Sequence, residues 1–159
     1  MCLLLDLGLR CGEAALLKVG GVNLQDGTVT FYRPKVDKIQ THNLPRDTLK
    51  AMRAYFEAGD VPVMLDAPLL RASRKSGQLT DAGMSERAIT KRVRDLGKAL
   101  CGLEGLSAHD CRHFWATQHA RSGRVDAIRL QEAGGWSSLA MPRRYIEDAR
   151  IANEGMESV

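Results

Sequence analysis

The stretch "HDCRH" sets two imidazoles and a guanidinium within five positions of one another. Ser107, followed three residues later by Asp110, is typical of a helix N-terminal capping box, so a helix is predicted to begin there with His109 in its first turn. His113 follows one turn after His109, with Arg112 beside it. Two kinds of site use such a group: a metal held by two histidines, or a phosphate held by an arginine with imidazole partners.

Metal binding is the weaker of these two interpretations. The stretch has the outline of the HExxH zinc helix, but Asp110 stands where that helix carries a glutamate as general base. A zinc site also needs a third ligand and freedom from competing cations, whereas Arg112 lies on the same side as both histidines. The sequence therefore predicts no metal and favours an anion, because the N–H groups and the dipole at a helix N-terminus already attract negative charge.

The composition is that of one ordinary globular domain over residues 1–159. Of these residues 44% are hydrophobic and 26% charged, enough for one substantial core, and the net charge is +4. The four cysteines form no CxxC pair, which indicates reduced thiols in a cytoplasmic protein. The opening "MCLLLDLGLR" is too short for a membrane span and lacks a basic start or cleavage site. Neither a disulfide-stapled secreted protein nor a membrane protein is expected.

Apolar periodicity and turn residues predict a mainly α fold with a small antiparallel β-hairpin or three-stranded sheet. Two short helices are expected within residues 3–19, meeting at Gly8. A strand over residues 28–32 and a second strand ending at Pro45 form the hairpin, with its turn near Lys35.

Further helices are predicted after the hairpin. The first is capped by Asp47 or Thr48 and ends at Gly59, and residues 60–80 are expected to be rich in loops. The others are a helix from Met84 or Ser85 to Leu100, one that begins after Ser107, one over roughly 125–133, and one that begins in "WSSLAMPRRYIED", with Pro142 near its start.

The helix ending at Leu100 carries basic residues at intervals of four, three and four positions. They are Arg87, Lys91, Arg94 and Lys98, the "basic ridge". This spacing puts them in one line opposite the apolar stripe of the helix. A solvated helix face is the alternative interpretation. A continuous cationic ridge of about three turns nevertheless matches a nucleic-acid groove better, so the ridge is predicted to bind DNA.

Three segments carry a resemblance to a known family: "GLRCGEAALL" at 8–17, "HDCRH" at 109–113 and "GGWSSLAMPRRY" at 134–145. In this order and at these separations they resemble the signature segments of the tyrosine recombinase (phage integrase) catalytic domain, over nearly the whole chain. The resemblance implies that domain's fold and a site-specific recombinase or integrase that cuts and rejoins double-stranded DNA through a 3′-phosphotyrosyl intermediate, without a cofactor. It also implies a homo-oligomer, tetrameric in the synaptic complex, and a bacterial or phage-derived mobile element.

The resemblance also assigns roles to the residues. Arg10 and Arg112 would hold the scissile phosphate, because two guanidiniums can fork onto its oxygens and stabilise the transition state. Tyr145, nine residues after Trp136, would be the nucleophile, and His109 would be the base that activates its phenol.

Supporting roles follow from the same resemblance. Trp136 would donate its indole N–H to a phosphate oxygen and pack against the tyrosine helix. Lys35 is preferred over Lys38 as the hairpin lysine that protonates the departing 5′ oxygen. His113 is expected to support the site without touching phosphate, and Glu13 to orient the first motif.

Two other functions remain open, and the chain departs from the family pattern in a few places. A type IB topoisomerase shares these residues, and a non-catalytic DNA-binding fragment is a further alternative. Cys111 and Gly134 stand where leucine is usual, and Trp136 takes the place of a commoner histidine. Because the chain begins shortly before Arg10, we expect a fragment without the N-terminal DNA-clamping domain and the first helix of the catalytic domain.

Overall fold

The computed structural model describes residues 1–59 and 61–150. Its helices and strands, in chain order, are α1 (Cys2–Leu7), α2 (Cys11–Ala15), β1 (Val22–Asn23), β2 (Thr28–Arg33), β3 (Lys38–Asn43), α3 (Arg46–Glu57), β4 (Arg71–Ser73), β5 (Leu79–Gly83), α4 (Glu86–Cys101), α5 (Ala108–Arg121), α6 (Ala127–Gly134) and α7 (Ala140–Ala149). No helix of this described part combines the length and apolar character needed to cross a membrane. The predicted mainly α fold with a small antiparallel sheet is confirmed.

The first sheet is the predicted hairpin with one short strand added. β1, β2 and β3 pair antiparallel in that order, and Arg33 at the end of β2 lies opposite Lys38 at the start of β3. The turn between them contains Lys35 and closes through Asp37, which has a positive φ of 47°. Lys35 therefore lies at the tip of the hairpin, whereas Lys38 belongs to a strand.

The segment predicted to be loop-rich contains a second hairpin, β4–β5, with Asp60 lying outside the described residues. Its turn closes where the Gly77 N–H donates to the Arg74 carbonyl at 2.9 Å. The strand sequences "RAS" and "LTDAG" lack the run of β-branched and aromatic residues that marks a strand. Arg71 Nε donates to the Thr80 carbonyl at 2.8 Å and the Thr80 hydroxyl donates to the Ala72 carbonyl at 3.2 Å, so polar cross-strand bonds that the side-chain pattern does not reveal support this hairpin.

One predicted helix cap is wrong. α3 begins directly after Pro45, and neither Asp47 nor Thr48 caps it. Thr48 is buried, and its hydroxyl donates to the carboxylate of Asp6, so this side chain ties α3 to α1. Proline at the boundary costs no helical hydrogen bond, because the first N–H groups of a helix have no partner within it.

The starts of α4 and α5 agree with the sequence prediction. Ser85 caps α4 by accepting the Ala88 N–H at 3.2 Å. Ser107 and Asp110 form the predicted capping box at the start of α5, in which each side chain accepts the other residue's backbone N–H. The "HDCRH" stretch therefore occupies the first turns of α5.

α5 belongs to two hydrophobic cores at once. Ala108 and Cys111 pack in the larger core with α1 to α4 and the first sheet, whereas Trp115 and Ala116 pack in a smaller core with α6 and α7. Arg112 lies between these two pairs on α5 and is itself buried. The junction of the two cores is therefore where the sequence motifs meet.

Candidate active site

Three arginines converge on the carboxyl end of α6. Arg33 donates to the carbonyls of Ala133 (2.7 Å) and Gly134 (2.6 Å). Arg112 also donates to the Gly134 carbonyl, at 2.7 Å, and Arg10 donates to the next carbonyl, that of Gly135, at 2.8 Å. The last carbonyls of a helix lack partners within it and carry partial negative charge, so guanidiniums stabilise this helix end.

Glu13 is the carboxylate that joins this arginine cluster, defined as Arg10, Arg33 and Arg112. It is 2% exposed, and its Oε1 accepts from Arg10 Nη1 at 2.7 Å and from Arg33 Nη1 at 3.2 Å. Its Oε2 accepts the Arg10 backbone N–H at 2.8 Å, which closes the first turn of α2. Three guanidiniums against one carboxylate leave an excess of two positive charges, which is suited to an anion.

Arg112 is held rigidly although it carries charge. Its second hydrogen bond goes to the Gly8 carbonyl at 2.6 Å, and its guanidinium carbon lies 4.2 Å from the ring centre of Trp136. Burial, with the neighbouring Arg10 charge, lowers the pKa of Arg112 to about 10, so the group remains a cation at neutral pH. Stacking on an indole stabilises such a cation.

The ring of Tyr145 lies beside Trp136, the residue on which Arg112 stacks. Tyr145 is 7% exposed, and its Oη is 2.8 Å from Nδ1 of His113. Ring centres are 5.1 Å apart for Tyr145 and His113, and 5.9 Å apart for Tyr145 and Trp136. Burial raises the pKa of Tyr145 above its usual value, while the charges of Arg112 and Arg144 act in the opposite direction.

His113 is expected from the sequence to support the site without touching phosphate. In the structure it is the imidazole that bonds to the phenol. His109 is exposed and lines the same cavity, about 260 Å³ in volume, together with His113, Tyr145 and Arg144. Both histidines face this cavity because they lie one turn apart on α5. Among the described residues, no three or more His, Cys, Asp or Glu side chains are grouped to hold a metal ion.

Lys35, at the tip of the hairpin, lines a different cavity from the one that holds Tyr145. Lys35 lines a cavity of about 370 Å³ together with Arg10, Glu13 and Glu86. Lys38 stands at the base of β3 and is not among the residues of that cavity. The turn of the hairpin therefore brings Lys35 close to the one arginine of the cluster whose side chain is substantially exposed, at 23%.

The basic ridge lies on the exposed face of α4, as the spacing predicts. All four of its side chains are exposed, while Ile89, Val93 and Gly97 are buried on the opposite face. Two ridge lysines have surface ion partners: Lys91 with Asp95 at 2.6 Å and Lys98 with Glu104 at 2.9 Å. Such exposed pairs are weak and do not cancel the cationic character of the ridge.

Comparison with known proteins identifies the family. The model of the phage integrase family matches residues 1–150. The chain belongs to the phage integrase family. It is 36% identical over 91 residues to the integrase of Salmonella phage P22, an alignment covering 57% of this chain and 20% of that protein. It is 26% identical over 145 residues to the tyrosine recombinase XerA of Pyrococcus furiosus, covering 90% of this chain and 47% of XerA.

Solved structures share the fold of this phage integrase family chain. The crystal structure of XerA recombinase superposes with a TM-score of 0.76 at 24% identity, over 98% of this chain and 52% of that one. The XerH recombinase bound to palindromic difH in a post-cleavage complex superposes with a TM-score of 0.71 at 23% identity, over 94% of this chain and 41% of that one. The chain therefore spans about half the length of XerA and a smaller share of the P22 integrase.

Arg33 belongs to the arginine cluster but lies in none of the three sequence motifs, so the motifs alone do not identify it. A signal for it exists in β2, where Val29, Phe31 and Arg33 occupy the inward positions of an alternating strand. An arginine at a core-facing position is unusual and calls for buried partners. Its path is also the reason for glycine at position 135: a Cβ there would lie 2.6 Å from Cδ of Arg33, and the backbone has a φ of 61°.

Proposed function

We propose that this chain carries the catalytic centre of a site-specific DNA recombinase that forms a 3′-phosphotyrosyl intermediate. One observation carries the proposal: the buried Tyr145 hydroxyl is hydrogen-bonded to an imidazole and lies beside a tryptophan that stacks on Arg112. A nucleophile, a proton acceptor and an anion-binding cluster are the three parts that transfer of a phosphodiester needs. Family membership supports the same conclusion.

The scissile phosphate is proposed to bind to Arg10 and Arg112. The cluster has two positive charges beyond those that Glu13 balances, and the Arg10 side chain is accessible from the Lys35 cavity. Guanidiniums fixed by carbonyls need no reorganisation when negative charge accumulates on the phosphorus oxygens. Trp136, stacked on Arg112, offers its indole N–H to the same anion.

In the proposed chemical step, Tyr145 Oη attacks phosphorus as its proton passes to an imidazole. The bond from phosphorus to the 5′ oxygen breaks, and Lys35 gives that oxygen a proton, which leaves a 3′-phosphotyrosyl link and a free 5′-hydroxyl. His113, at 2.8 Å from the phenol, is the acceptor that the distance supports, and His109 in the same cavity is the alternative. A second 5′-hydroxyl reverses the step, so the bond energy is conserved.

Double-stranded DNA is the proposed partner, with the basic ridge on its backbone. The ridge begins beside the site, because Glu86 lines the cavity of Arg10 and Lys35 and its carbonyl accepts from Cys11 Sγ at 3.2 Å. From Arg87 to Lys98 the ridge extends about 16 Å at 1.5 Å per residue. XerH, a structural neighbour, is seen bound to its difH substrate.

A tetrameric synapse, a single domain over residues 1–159 and a cytoplasmic location stay predictions.

The test is covalent capture of DNA. The protein is incubated with duplex fragments tiled across the DNA that flanks its coding region, each nicked so that cleavage releases a short oligonucleotide. After denaturation, DNA attached to protein is sequenced. Enrichment of one site in the adduct supports a recombinase. Adducts spread over all fragments, with relaxation of supercoiled plasmid and no joining between duplexes, indicate a type IB topoisomerase, and absence of any adduct indicates a non-catalytic DNA-binding protein.

A further inference from the structure

The position of Trp136 depends on the residue two places before it. The indole lies against the Arg112 guanidinium and beside the Tyr145 ring, and it stacks on Trp115 with ring centres 6.2 Å apart. Gly134, the last residue of α6, is buried directly beneath it. A Cβ at position 134 would lie 2.7 Å from Cη2 of Trp136, and closer still to Cζ3 and Cε3.

Backbone conformation does not explain the glycine at this position. Gly134 is helical and does not have the positive φ that marks Gly135. Glycine is among the least favourable residues within a helix, so helix propensity does not explain it either. The indole occupies the volume that any side chain at position 134 would need, and this accounts for the glycine.

The clash involves only one part of the indole. The three ring atoms nearest the added Cβ all belong to the six-membered ring of Trp136. An imidazole at position 136 has a single five-membered ring and lacks all three atoms. Position 134 can therefore hold a larger side chain when position 136 holds a histidine, but not when it holds a tryptophan.

We infer that Gly134 is a positioning residue that sets the indole of Trp136 against Arg112 and Tyr145, so that positions 134 and 136 act as one steric pair. The inference rests on the proposed function in one respect, its consequence for phosphotyrosyl formation. With a side chain at position 134 the indole leaves Arg112, so the arginine loses its stacking partner and Tyr145 loses its ring contact with the indole.

The experiment compares Gly134→Leu, Trp136→His and the double variant in the full chain. Protein labelled with 5-fluorotryptophan gives one ¹⁹F resonance for each of Trp115 and Trp136, and Trp136→His assigns them. We expect Gly134→Leu to move the Trp136 resonance and to slow adduct formation by about 10²-fold, the scale of an ångström of misplacement. The double variant is expected to form adduct at the rate of Trp136→His alone, so that leucine has no further effect once the indole is gone.

Gly97→Ala is the matched control, because Gly97 is a buried helical glycine of α4 whose added Cβ would lie 2.9 Å from Leu106, away from the site. It should change the melting temperature without moving the Trp136 resonance. An unmoved Trp136 resonance in Gly134→Leu, or a double variant as slow as the two losses multiplied, would overturn the inference. If the wild-type protein forms no adduct, the proposed function fails. The ¹⁹F shift in Gly134→Leu, with the melting temperatures of the wild type, the two single variants and the double variant, still shows whether positions 134 and 136 act as one steric pair.

Discussion

Replacing Arg33 with methionine tests how the arginine cluster is built. Arg33 is fully buried and makes three hydrogen bonds, two to the end of α6 and one to Glu13. Methionine fills similar space but leaves the Ala133 carbonyl without its guanidinium and Glu13 with Arg10 alone. Breaking a buried charged pair costs about 3–5 kcal/mol, and relief from burying a cation, whose pKa burial lowers, brings the expected loss to about 3 kcal/mol.

Thermal unfolding followed by circular dichroism measures this loss. For a chain of this size, about 3 kcal/mol corresponds to a melting temperature lower by ~6–12 °C. Arg33→Lys should fall between, because an ammonium keeps the charge but cannot fork onto two carbonyls. Arg53→Met is the matched control: Arg53 is exposed and donates to the Leu24 carbonyl at 2.9 Å, so its loss should cost about 0.5 kcal/mol or less. Equal melting temperatures for Arg33→Met and Arg53→Met would refute the reasoning.

Two further predictions concern the proton acceptor and the DNA surface. His113→Gln should slow adduct formation by about 10²–10⁴-fold while DNA affinity is retained, because His113 is the imidazole bonded to the phenol. Single-turnover rates should show a larger loss for His113→Gln than for His109→Gln. The opposite ranking would make His109 the base. Replacing both Lys91 and Arg94 with alanine should reduce the slope of log affinity against log salt by about two, whereas Arg53→Ala on α3 should leave the slope unchanged. An unaltered slope in the double variant would show that the basic ridge is not part of the DNA interface.

The residues that the motifs name are largely the ones that the fold brings together. Arg10, Arg112, Trp136 and Tyr145 come from three separate segments and meet at the end of α6 and on α7. Helix starts at Ser107 and elsewhere could be predicted because capping is a local interaction between residues three apart. Local rules therefore predict where helices begin, and the family resemblance predicts which residues meet at the site.

The remaining features depend on contacts between distant segments. His109 and His113 share a face of α5, and only the packing of α7 decides which of them touches the phenol. Arg33 is separated by about a hundred positions from the carbonyls it caps. Thr48 is of a residue type that often caps helices, but its hydroxyl bonds to Asp6 in α1 instead. In each case a tertiary partner outweighs the local preference of the side chain.

The most direct test of the central claim is covalent capture with Tyr145→Phe. This change keeps the ring and its packing against His113 and Trp136 but removes the only atom of the side chain that can attack phosphorus. With a nicked duplex that the wild-type protein captures, we predict no adduct from the variant, while its circular dichroism and DNA affinity match the wild type. A phenylalanine variant that still forms the protein–DNA adduct would contradict the account and direct attention to Tyr32 and Tyr55, the remaining tyrosines of the sequence.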